Sequence, residues 1–228
     1  MRAREADALS AFGGIVGLNR PVDVATARAL TATFIEAIVA PALDPQGDVL
    51  AILAAKPNLR VVTADFRGLE AERDARSILG AWLVQARDVA SEAAGAWPDG
   101  DMPRVVTKRA PTAAEWRALR FCWRVCAHVK SNAVIFTSED LTLAVGAGQM
   151  SRVDAVKTAV MKAGDRLRGS AAASDAFFPF RDGLDALASA GATAVVQPGG
   201  SVRDAEVIAA ADEHGLAMVF TGRRHFRH

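Results

Sequence analysis

Residues 192–220, ATAVVQPGGSVRDAEVIAAADEHGLAMVF, contain two short apolar runs separated by a helical segment. The runs 192–196 and 216–220 are bounded by polar residues, glycine and proline, which predicts two strands. Between them, Ser201 and Asp204 are residue types that favour a helix N-terminus, and the predicted helix ends near His214. A succession of strand, helix and strand favours an α/β fold over the other classes.

The same alternation extends over most of the chain. Upstream, the patterns predict a helix over 23–39, a shorter helix over 48–55 and a buried strand over 59–63. Segment 65–80 has no clear pattern, and 78–84 is too short to distinguish strand from helix. Further elements are a helix opened by the capping box Thr112–Glu115, strands at 133–137 and 141–145, a helix beginning at Ser151, and a helix from Phe180 to about Ala190.

One segment divides the chain. Residues 92–109 contain Gly95, Pro98, Gly100 and Pro103, which predicts a long connection or a subdomain boundary. We therefore expect a first unit with its connecting segment over 1–110 and a second unit over 111–228.

The composition excludes several classes of protein. The 228 residues are 51% hydrophobic and 23% charged, which is typical of a folded soluble protein, and 27 basic against 26 acidic residues give a net charge of +1. This balance gives no reason to expect nucleic acid or a membrane surface as a partner. The N-terminus lacks an apolar core of signal-peptide length, and no run is long enough to span a bilayer, so we expect a cytoplasmic protein.

The two cysteines, Cys122 and Cys126, lie four residues apart in a helical segment and therefore point the same way. That arrangement disfavours a disulfide, and neither residue belongs to a zinc-binding motif. We expect buried structural cysteines and no metal.

Four segments contain most of the unusual residues: 130–132, 146–152, 174–182 and 223–228. Each follows a predicted strand or precedes a predicted helix, where α/β proteins bind ligands. The first is also explained as a helix end and turn. The second, GAGQMSR, has glycines that would admit a ligand to the backbone near a helix N-terminus, but a plain turn explains it equally well.

The other two segments also allow two interpretations each. Phe177, Phe178 and Phe180 either pack beneath a loop or stack on a flat heteroaromatic ligand, with Asp182 pairing to an amidine-like edge. The basic C-terminus is a solvated tail with at most nonspecific RNA contact, or a docked segment whose histidines offer a phosphate or carboxylate site.

Taken as strings, these segments resemble a known family. HVKSNAVIF and VGAGQMSR within 128–152, SDAFFPFRDGLDAL at 174–187, and the whole of 191–228 resemble the C-terminal signature of the folate-dependent transformylase domain of the AICAR transformylase/IMP cyclohydrolase enzymes of purine synthesis. SAFGG and the following IVGLNRPVDVATA, at 10–27, resemble a segment from the middle of that domain. The resemblance covers almost the entire chain and is weakest over 65–101.

The resemblance implies a fold of cytidine-deaminase-like three-layer α/β/α units without zinc, the first of them partial in this chain. It implies transfer of a formyl group from the cosubstrate 10-formyltetrahydrofolate to AICAR, with no metal required. AICAR and the folate are then the ligands. In the family, residues from both subunits of a homodimer build each active site.

The resemblance also implies roles for individual residues. Asn132 would lie near the transferring formyl group, and His228 would close the pocket beside the chemistry. The remaining matched positions are Arg224, Phe226 and Phe177 for AICAR, and Arg152, Val153, Phe177, Pro179 and Asp182 for the folate.

The chain also departs from the family pattern. The family has an essential Lys-His pair well upstream of the SAFGG segment, an Arg-Tyr stretch further upstream and a separate cyclohydrolase domain. Only nine residues precede Ser10, so none of these is present. We expect either one subunit of a split transformylase, completed by a second polypeptide, or a catalytically inactive remnant that binds folate or nucleotide. In both cases we expect no turnover by the chain alone, and exposed apolar surface that makes it a dimer or dependent on a partner.

Overall fold

The computed structural model describes residues 1–68 and 73–228 and divides between Arg87 and Asp88 into two units. Each unit combines helices with β-sheet, which confirms the predicted α/β class. The elements of the first unit are helix α1 (Arg2–Glu5), strand β1 (Gly14–Gly17), helix α2 (Val24–Thr31), strand β2 (Ile35–Ala40), helix α3 (Val49–Ala54) and strands β3 (Arg60–Thr63), β4 (Arg73–Ile78) and β5 (Ala81–Ala86).

Strands β1, β2 and β3 of the first unit form a parallel sheet in that order. Helices α2 and α3 contribute Ala27, Val49 and Leu53 to a small core against Ile38 of β2. Strands β4 and β5 pair with each other as an antiparallel hairpin. The predicted short helix over 48–55 is therefore confirmed as α3.

The predicted helix over 23–39 is wrong beyond Thr31. Helix α2 ends there, and the β-branched run that begins at Ile35 forms the middle strand of the sheet. The apolar residues of this segment therefore do not share one helix face. Ile38 lies in the core, whereas Phe34 is half exposed beside Phe12, with ring centroids 5.2 Å apart.

The predicted strand over 59–63 exists as β3, but the expectation that it is buried is wrong. Val61 and Val62 are 37% and 49% exposed because β3 lies at the edge of the described sheet. In the ambiguous region, 78–84 is the end of β4, a turn at Leu79 and Gly80, and most of β5. The unassigned segment 65–80 includes residues 69–72, which lie outside the described residues.

The second unit contains a mixed sheet of six strands. Its elements are a 3-10 turn (Ser91–Ala93), strand β6 (Arg104–Val105), helix α4 (Ala113–Cys126), strands β7 (Val134–Thr137) and β8 (Thr142–Gly146), helix α5 (Arg152–Ala163), a 3-10 turn (Gly164–Leu167), strand β9 (Ala171–Ser174), helix α6 (Arg181–Ser189), strand β10 (Ala194–Gln197), helix α7 (Asp204–Glu213) and strand β11 (Ala217–Phe220). The strand order is β6-β11-β10-β9-β7-β8, with β9, β10 and β11 parallel to one another.

Helices cover both faces of this sheet, as a three-layer fold requires. Side chains of β7 alternate: Val134 and Phe136 belong to one core with helices α5, α6 and α7, while Ile135 belongs to another with α4. The predicted elements from Thr112 onward are confirmed, with boundaries that shift by a few residues. Strand β9, with the sequence AAAS, was not predicted because alanine has low strand propensity.

Residues 88–110 belong to the second unit, which places the division earlier than the expected one at 110. The reason is tertiary: β6 pairs antiparallel with β11, and Ala93 packs in the core beneath α4. No composition signal in the segment reports these long-range contacts.

Helix α4 begins with the predicted capping box. Thr112 Oγ1 accepts from the Glu115 N–H, and the Glu115 carboxylate accepts from the Thr112 N–H and from Arg109. Burial opposes ionisation of Glu115, but these hydrogen bonds prevail and lower its pKa to about 2. Cys122 and Cys126 are buried and free on the same helix, as expected, and burial raises the pKa of Cys122 to about 12.

Candidate functional site

Three chain segments meet at one end of the six-stranded sheet. Val134, the first residue of β7, pairs with Gly146 at the end of β8 and with Ser174 at the end of β9. Because β7 runs antiparallel to both neighbours, the turn before it lies beside the segments that follow them. This brings Asn132 next to Arg152 and Asp175.

The centre of this region is a buried ion pair. The Arg152 side chain is 9% exposed and the Asp175 side chain is fully buried. Arg152 Nη1 donates to Asp175 Oδ1 at 2.5 Å and to Ser174 Oγ at 2.9 Å. The other carboxylate oxygen of Asp175 accepts from the hydroxyl of Ser131. Both oxygens of the buried carboxylate are therefore satisfied by hydrogen bonds, as a buried charge requires.

Asn132 is held in place by the same ion pair. Its Oδ1 accepts from Arg152 Nη2 at 3.2 Å, and its Nδ2 donates to the carbonyls of Gln149 at 2.9 Å and Met150 at 3.2 Å. These contacts fix the direction of the amide and leave Oδ1 a second lone pair. Asn132 and Arg152, both predicted site residues, are thus directly hydrogen-bonded.

The C-terminal segment 221–228 is docked against this region, so the interpretation as a solvated tail is wrong. The Ser131 N–H donates to the Arg227 carbonyl at 2.9 Å, and the Arg227 N–H donates to Ser131 Oγ at 3.0 Å. The His225 N–H donates to the Asp175 carbonyl at 3.1 Å. The C-terminal residues therefore run alongside the turn that carries Asn132.

Arg224, Phe226 and His228 alternate along this segment and form an exposed row. The Arg224 guanidinium lies 5.1 Å from the centre of the Phe226 ring, and the Phe226 and His228 rings are 5.6 Å apart. A cation, an aromatic ring and an imidazole in series can contact a phosphate and a flat base. All three are predicted site residues, and the structure brings them together.

His225 is a buried residue of the segment, so the expectation that both histidines offer a ligand site is wrong for this one. Its Nδ1 lies 2.8 Å from Asp88 Oδ1, and its Nε2 lies 2.8 Å from Glu92 Oε1. The imidazole also meets the Trp123 ring edge-on at 5.2 Å between centroids. Only the spacing His225–His228 was visible in the sequence, and it gave no sign that one histidine is buried.

The phenylalanine-rich segment after β9 is divided between packing and exposure. Phe178 is fully buried, and its N–H donates to Gln197 Oε1 at 2.9 Å. Phe177 is partly buried, and Phe180 is 48% exposed beneath the guanidinium of Arg203 at 4.9 Å. Packing under the loop therefore accounts for Phe178, whereas the two flanking rings retain open surface.

The predicted folate residues lie where helices α5 and α6 begin. Val153 is in the first turn of α5, and a Cβ added at Gly183 of α6 would lie 4.0 Å from the Val153 backbone nitrogen. Pro179 precedes α6, and Asp182 in its first turn accepts from the Gly183 N–H at 2.7 Å. The predicted folate residues are connected to the ion pair along the chain. Val153 directly follows Arg152, and the loop that begins at Ser174 and Asp175 continues through Phe177 toward α6.

The glycines of 146–148 serve the fold. A Cβ on Gly146 would stand 1.8 Å from the Ala155 carbonyl oxygen, so this residue lets β8 pack directly on α5. Gly148 has φ of 65°, and its N–H donates to the Lys130 carbonyl at 2.8 Å. The interpretation as a structural turn accounts for both contacts.

Neither a metal site nor a membrane span is found in the described part of the chain. Residues 1–68 and 73–228 contain no group of three or more histidine, cysteine, aspartate or glutamate side chains arranged to hold a metal ion. Within the same residues, every helix is too short or too polar to cross a membrane.

The fold and the site define a three-layer α/β protein whose strand-end polar cluster is flanked by its own C-terminal segment. A model of the AICARFT/IMPCHase bienzyme family matches residues 1–162, and the chain belongs to that family. It is 57% identical to the bifunctional purine biosynthesis protein PurH of Myxococcus xanthus, over 99% of this chain and 43% of that protein. It is 54% identical to PurH of Synechococcus elongatus over 100% of the chain and 43% of that protein. The chain thus spans less than half the length of these relatives.

Proposed function

We propose that this chain is the C-terminal part of the AICAR formyltransferase of purine biosynthesis, which transfers a formyl group from 10-formyltetrahydrofolate to AICAR. One observation carries the proposal: Asn132 and Arg152 share a hydrogen-bonded cluster, and the exposed row Arg224, Phe226 and His228 is docked beside it. Of the two activities in the family's name, we assign the formyl transfer to this chain.

The reaction sets three requirements for the site. The amine of AICAR is a weak nucleophile because its lone pair is conjugated with the ring and the carboxamide. Its attack on the formyl carbon requires a group that takes the amine proton, a proton for the departing folate nitrogen, and hydrogen bonds to the tetrahedral oxyanion. An amide, an imidazole and a guanidinium are suited to these tasks, and no metal is needed for any of them.

We assign the matched residues to these tasks. The Asn132 amide and the His228 imidazole act at the formyl group, where His228 moves a proton and Asn132 orients the carbonyl. Arg224 binds the AICAR phosphate, and the rings of Phe226 and Phe177 hold its base. The folate lies against Arg152, Val153, Phe177, Pro179 and Asp182, where the Asp182 carboxylate pairs with the pterin edge. Apart from Arg152, which is buried, the assigned side chains are at least partly exposed.

We propose further that the first unit is completed by more chain. Helices α2 and α3 cover one face of the sheet β1–β2–β3, while Ile15 and Val62 on the opposite face are 72% and 49% exposed. A second copy of the chain, or a chain carrying the upstream Lys-His segment of the family, would bury that face. Because the second unit covers both faces of its own sheet, we propose that the uncovered face of the first unit's sheet binds a partner chain.

The experiment compares binding with turnover. Calorimetry with AICAR and with a folate analogue should detect binding to the isolated chain. Formyl transfer should be absent with the chain alone and should appear when a polypeptide carrying the Lys-His segment is added. Arg224→Gln should weaken AICAR binding by tenfold or more, about 1.4 kcal/mol or above, because a phosphate contact is lost.

Lys157→Gln is the matched control, since it removes one positive charge from the exposed side of α5 and should leave binding unchanged. Binding without turnover in the presence of the added polypeptide would favour the alternative, an inactive folate- or nucleotide-binding remnant. Turnover by the chain alone would contradict the expectation that the Lys-His segment is required, and absence of binding by both ligands would end the proposal.

A further inference from the structure

His225 is the only side chain of the docked segment that points into the protein and contacts two carboxylates among the described hydrogen bonds. Its side chain is 3% exposed, against 42% for Asp88 and 17% for Glu92. With one carboxylate on each ring nitrogen, both nitrogens have an acceptor at 2.8 Å. A neutral imidazole can donate to only one of them, whereas the protonated ring donates to both.

Glu92 is itself fixed to the core. Its Oε1 accepts from the indole N–H of fully buried Trp123, and its backbone carbonyl accepts from the indole N–H of Trp97 at 2.8 Å. His225 is therefore anchored, through Glu92, to aromatic side chains of the core. Asp88, the second carboxylate in contact with His225, is more exposed to solvent.

His225 also helps to hold the backbone that carries Arg224, Phe226 and His228. In the extended segment, His225 points inward while its neighbours Arg224 and Phe226 point outward, because successive side chains alternate. The His225 N–H also donates to the Asp175 carbonyl, and Arg227 two residues later bonds to Ser131. Release of the imidazole would therefore loosen the backbone that presents Arg224, Phe226 and His228.

We propose that Asp88, His225 and Glu92 form an ionic latch that is closed when His225 is protonated and that positions the C-terminal segment beside Asn132. His225 is in this sense a positioning residue: it touches no ligand and acts through its neighbours. That the positioned side chains serve AICAR rests on the proposed function, but the latch itself does not.

Other charged groups lie around the imidazole. Arg223 lies 3.6 Å from the second oxygen of Glu92 and competes with His225 for that carboxylate. His128, after α4, feels the charges of His225 and Arg227, and burial together with these charges lowers its pKa. The charged and titratable groups around the latch are Asp88 and Glu92 before α4, His128 after α4 and Arg223 on the segment itself, while Arg124 and Arg227 act on His128.

The direction of the pH dependence follows from these contacts. Burial alone would lower the pKa of His225, but the hydrogen bonds to Glu92 and Asp88 outweigh it and raise the pKa above its ordinary value. A raised histidine pKa stabilises the docked segment fully below the ordinary value, near 6.5, and that stabilisation is lost as the pH rises through the folded-state pKa. The latch is thus closed below the folded-state pKa of His225 and opens as the pH rises through it.

Limited trypsin digestion measures the latch directly. Cleavage after Arg223, Arg224 or Arg227 requires the segment to leave its docked position, and intact mass reports it. Rates are divided at each pH by those of a synthetic peptide of residues 217–228, which removes the pH dependence of trypsin. Between pH 6.5 and 9, this ratio should rise about tenfold for each unit by which the docked state raises the pKa of His225.

Variants separate the latch from its surroundings. His225→Gln should be cleaved rapidly with no pH step, and Glu92→Gln should move the step to lower pH because one carboxylate is lost. His128→Gln is the matched control, since it removes the neighbouring imidazole and should keep the step. Circular dichroism of each variant checks that the sheet is intact. A flat ratio in the unmodified chain, or a step that persists in folded His225→Gln, would overturn the latch.

AICAR titrations at pH 6.5 and pH 9 distinguish the two proposals. A cleavage step without AICAR binding at either pH supports the latch and contradicts the proposed function. AICAR binding of equal strength at both pH values, with a flat cleavage ratio, supports the proposed function and contradicts the latch.

Discussion

Asp175 links three segments of the second unit through one buried carboxylate. It pairs with Arg152, accepts from Ser131, and its backbone carbonyl accepts from the His225 N–H. Removing one partner of a buried pair leaves the other charge uncompensated, which is more costly than losing a surface pair.

Asp175→Asn should therefore lower the free energy of unfolding by about 3 kcal/mol, because the Arg152 guanidinium keeps a hydrogen bond but loses its counter-charge. Urea unfolding followed by tryptophan fluorescence measures the change. Asp165→Asn, at an exposed carboxylate after α5, is the control and should change stability by no more than about 0.5 kcal/mol. An Asp175→Asn variant as stable as that control would show that the ion pair contributes little.

At this scale the sequence predicted part of the site. Asn132, Arg152 and the row Arg224, Phe226 and His228 were identified through family strings, and the structure brings them together. Asp175 lay within the same strings but was not selected, because an aspartate before a phenylalanine cluster gives no sign that it will be buried. That burial depends on the start of β7 and the ends of β8 and β9 meeting at one end of the sheet.

Among the helices and strands, the packing of β8 on α5 depends on one glycine. Gly146 closes β8, and any Cβ there would overlap the Ala155 carbonyl of α5. Small-to-large changes in a tightly packed position force the backbone apart, and here the obstacle is main chain, which cannot rotate away.

Gly146→Ala should lower the free energy of unfolding by about 3 kcal/mol. It should also raise the hydrogen-exchange rate in the first turn of α5, which begins at Arg152. Gly17→Ala provides a contrast: it ends β1, has open space around its Cβ position and no positive φ, and should be neutral or slightly stabilising. If both variants unfold at the same urea concentration, the close approach of β8 and α5 has no energetic weight.

Element prediction succeeded where local signals agreed with the fold. The capping box at Thr112 and the Ser151 cap each lie at the first turn of a real helix, because a cap is a local contact that the sequence contains entirely. The helix over 23–39 failed since its second half joins β1 and β3, a nonlocal pairing. Strand β9 was missed because alanine has low strand propensity, and its alanines fit the sheet because α4 packs closely on them.

On the scale of the whole chain, the two units differ in how completely they cover their apolar surface. The six-stranded sheet is buried on both faces, whereas the first unit leaves Ile15 and Val62 on an open face and Trp82 of the β4–β5 hairpin 71% exposed. Exposed apolar surface of this kind favours association.

We expect the purified chain to self-associate in a concentration-dependent way, as measured by sedimentation velocity. The double variant Ile15→Lys, Val62→Lys should shift the distribution toward monomer, because each lysine would have to be desolvated in the interface. Met161→Lys, at an isolated exposed site on α5, should leave the distribution unchanged. A monodisperse monomer at all concentrations in the unmodified chain would contradict the expectation.

The position of β11 inside the sheet, between β10 and β6, has a consequence for damaged forms of the protein. A premature stop or a proteolytic cut after α7 would remove more than the latch and the ligand-facing row. It would take an interior strand with it, strip β6 of its hydrogen-bonded neighbour and uncover β10 along its whole length. Such shortened chains should be recognised as unfolded by quality-control proteases. Loss of this stretch should therefore lower the amount of the protein in a cell.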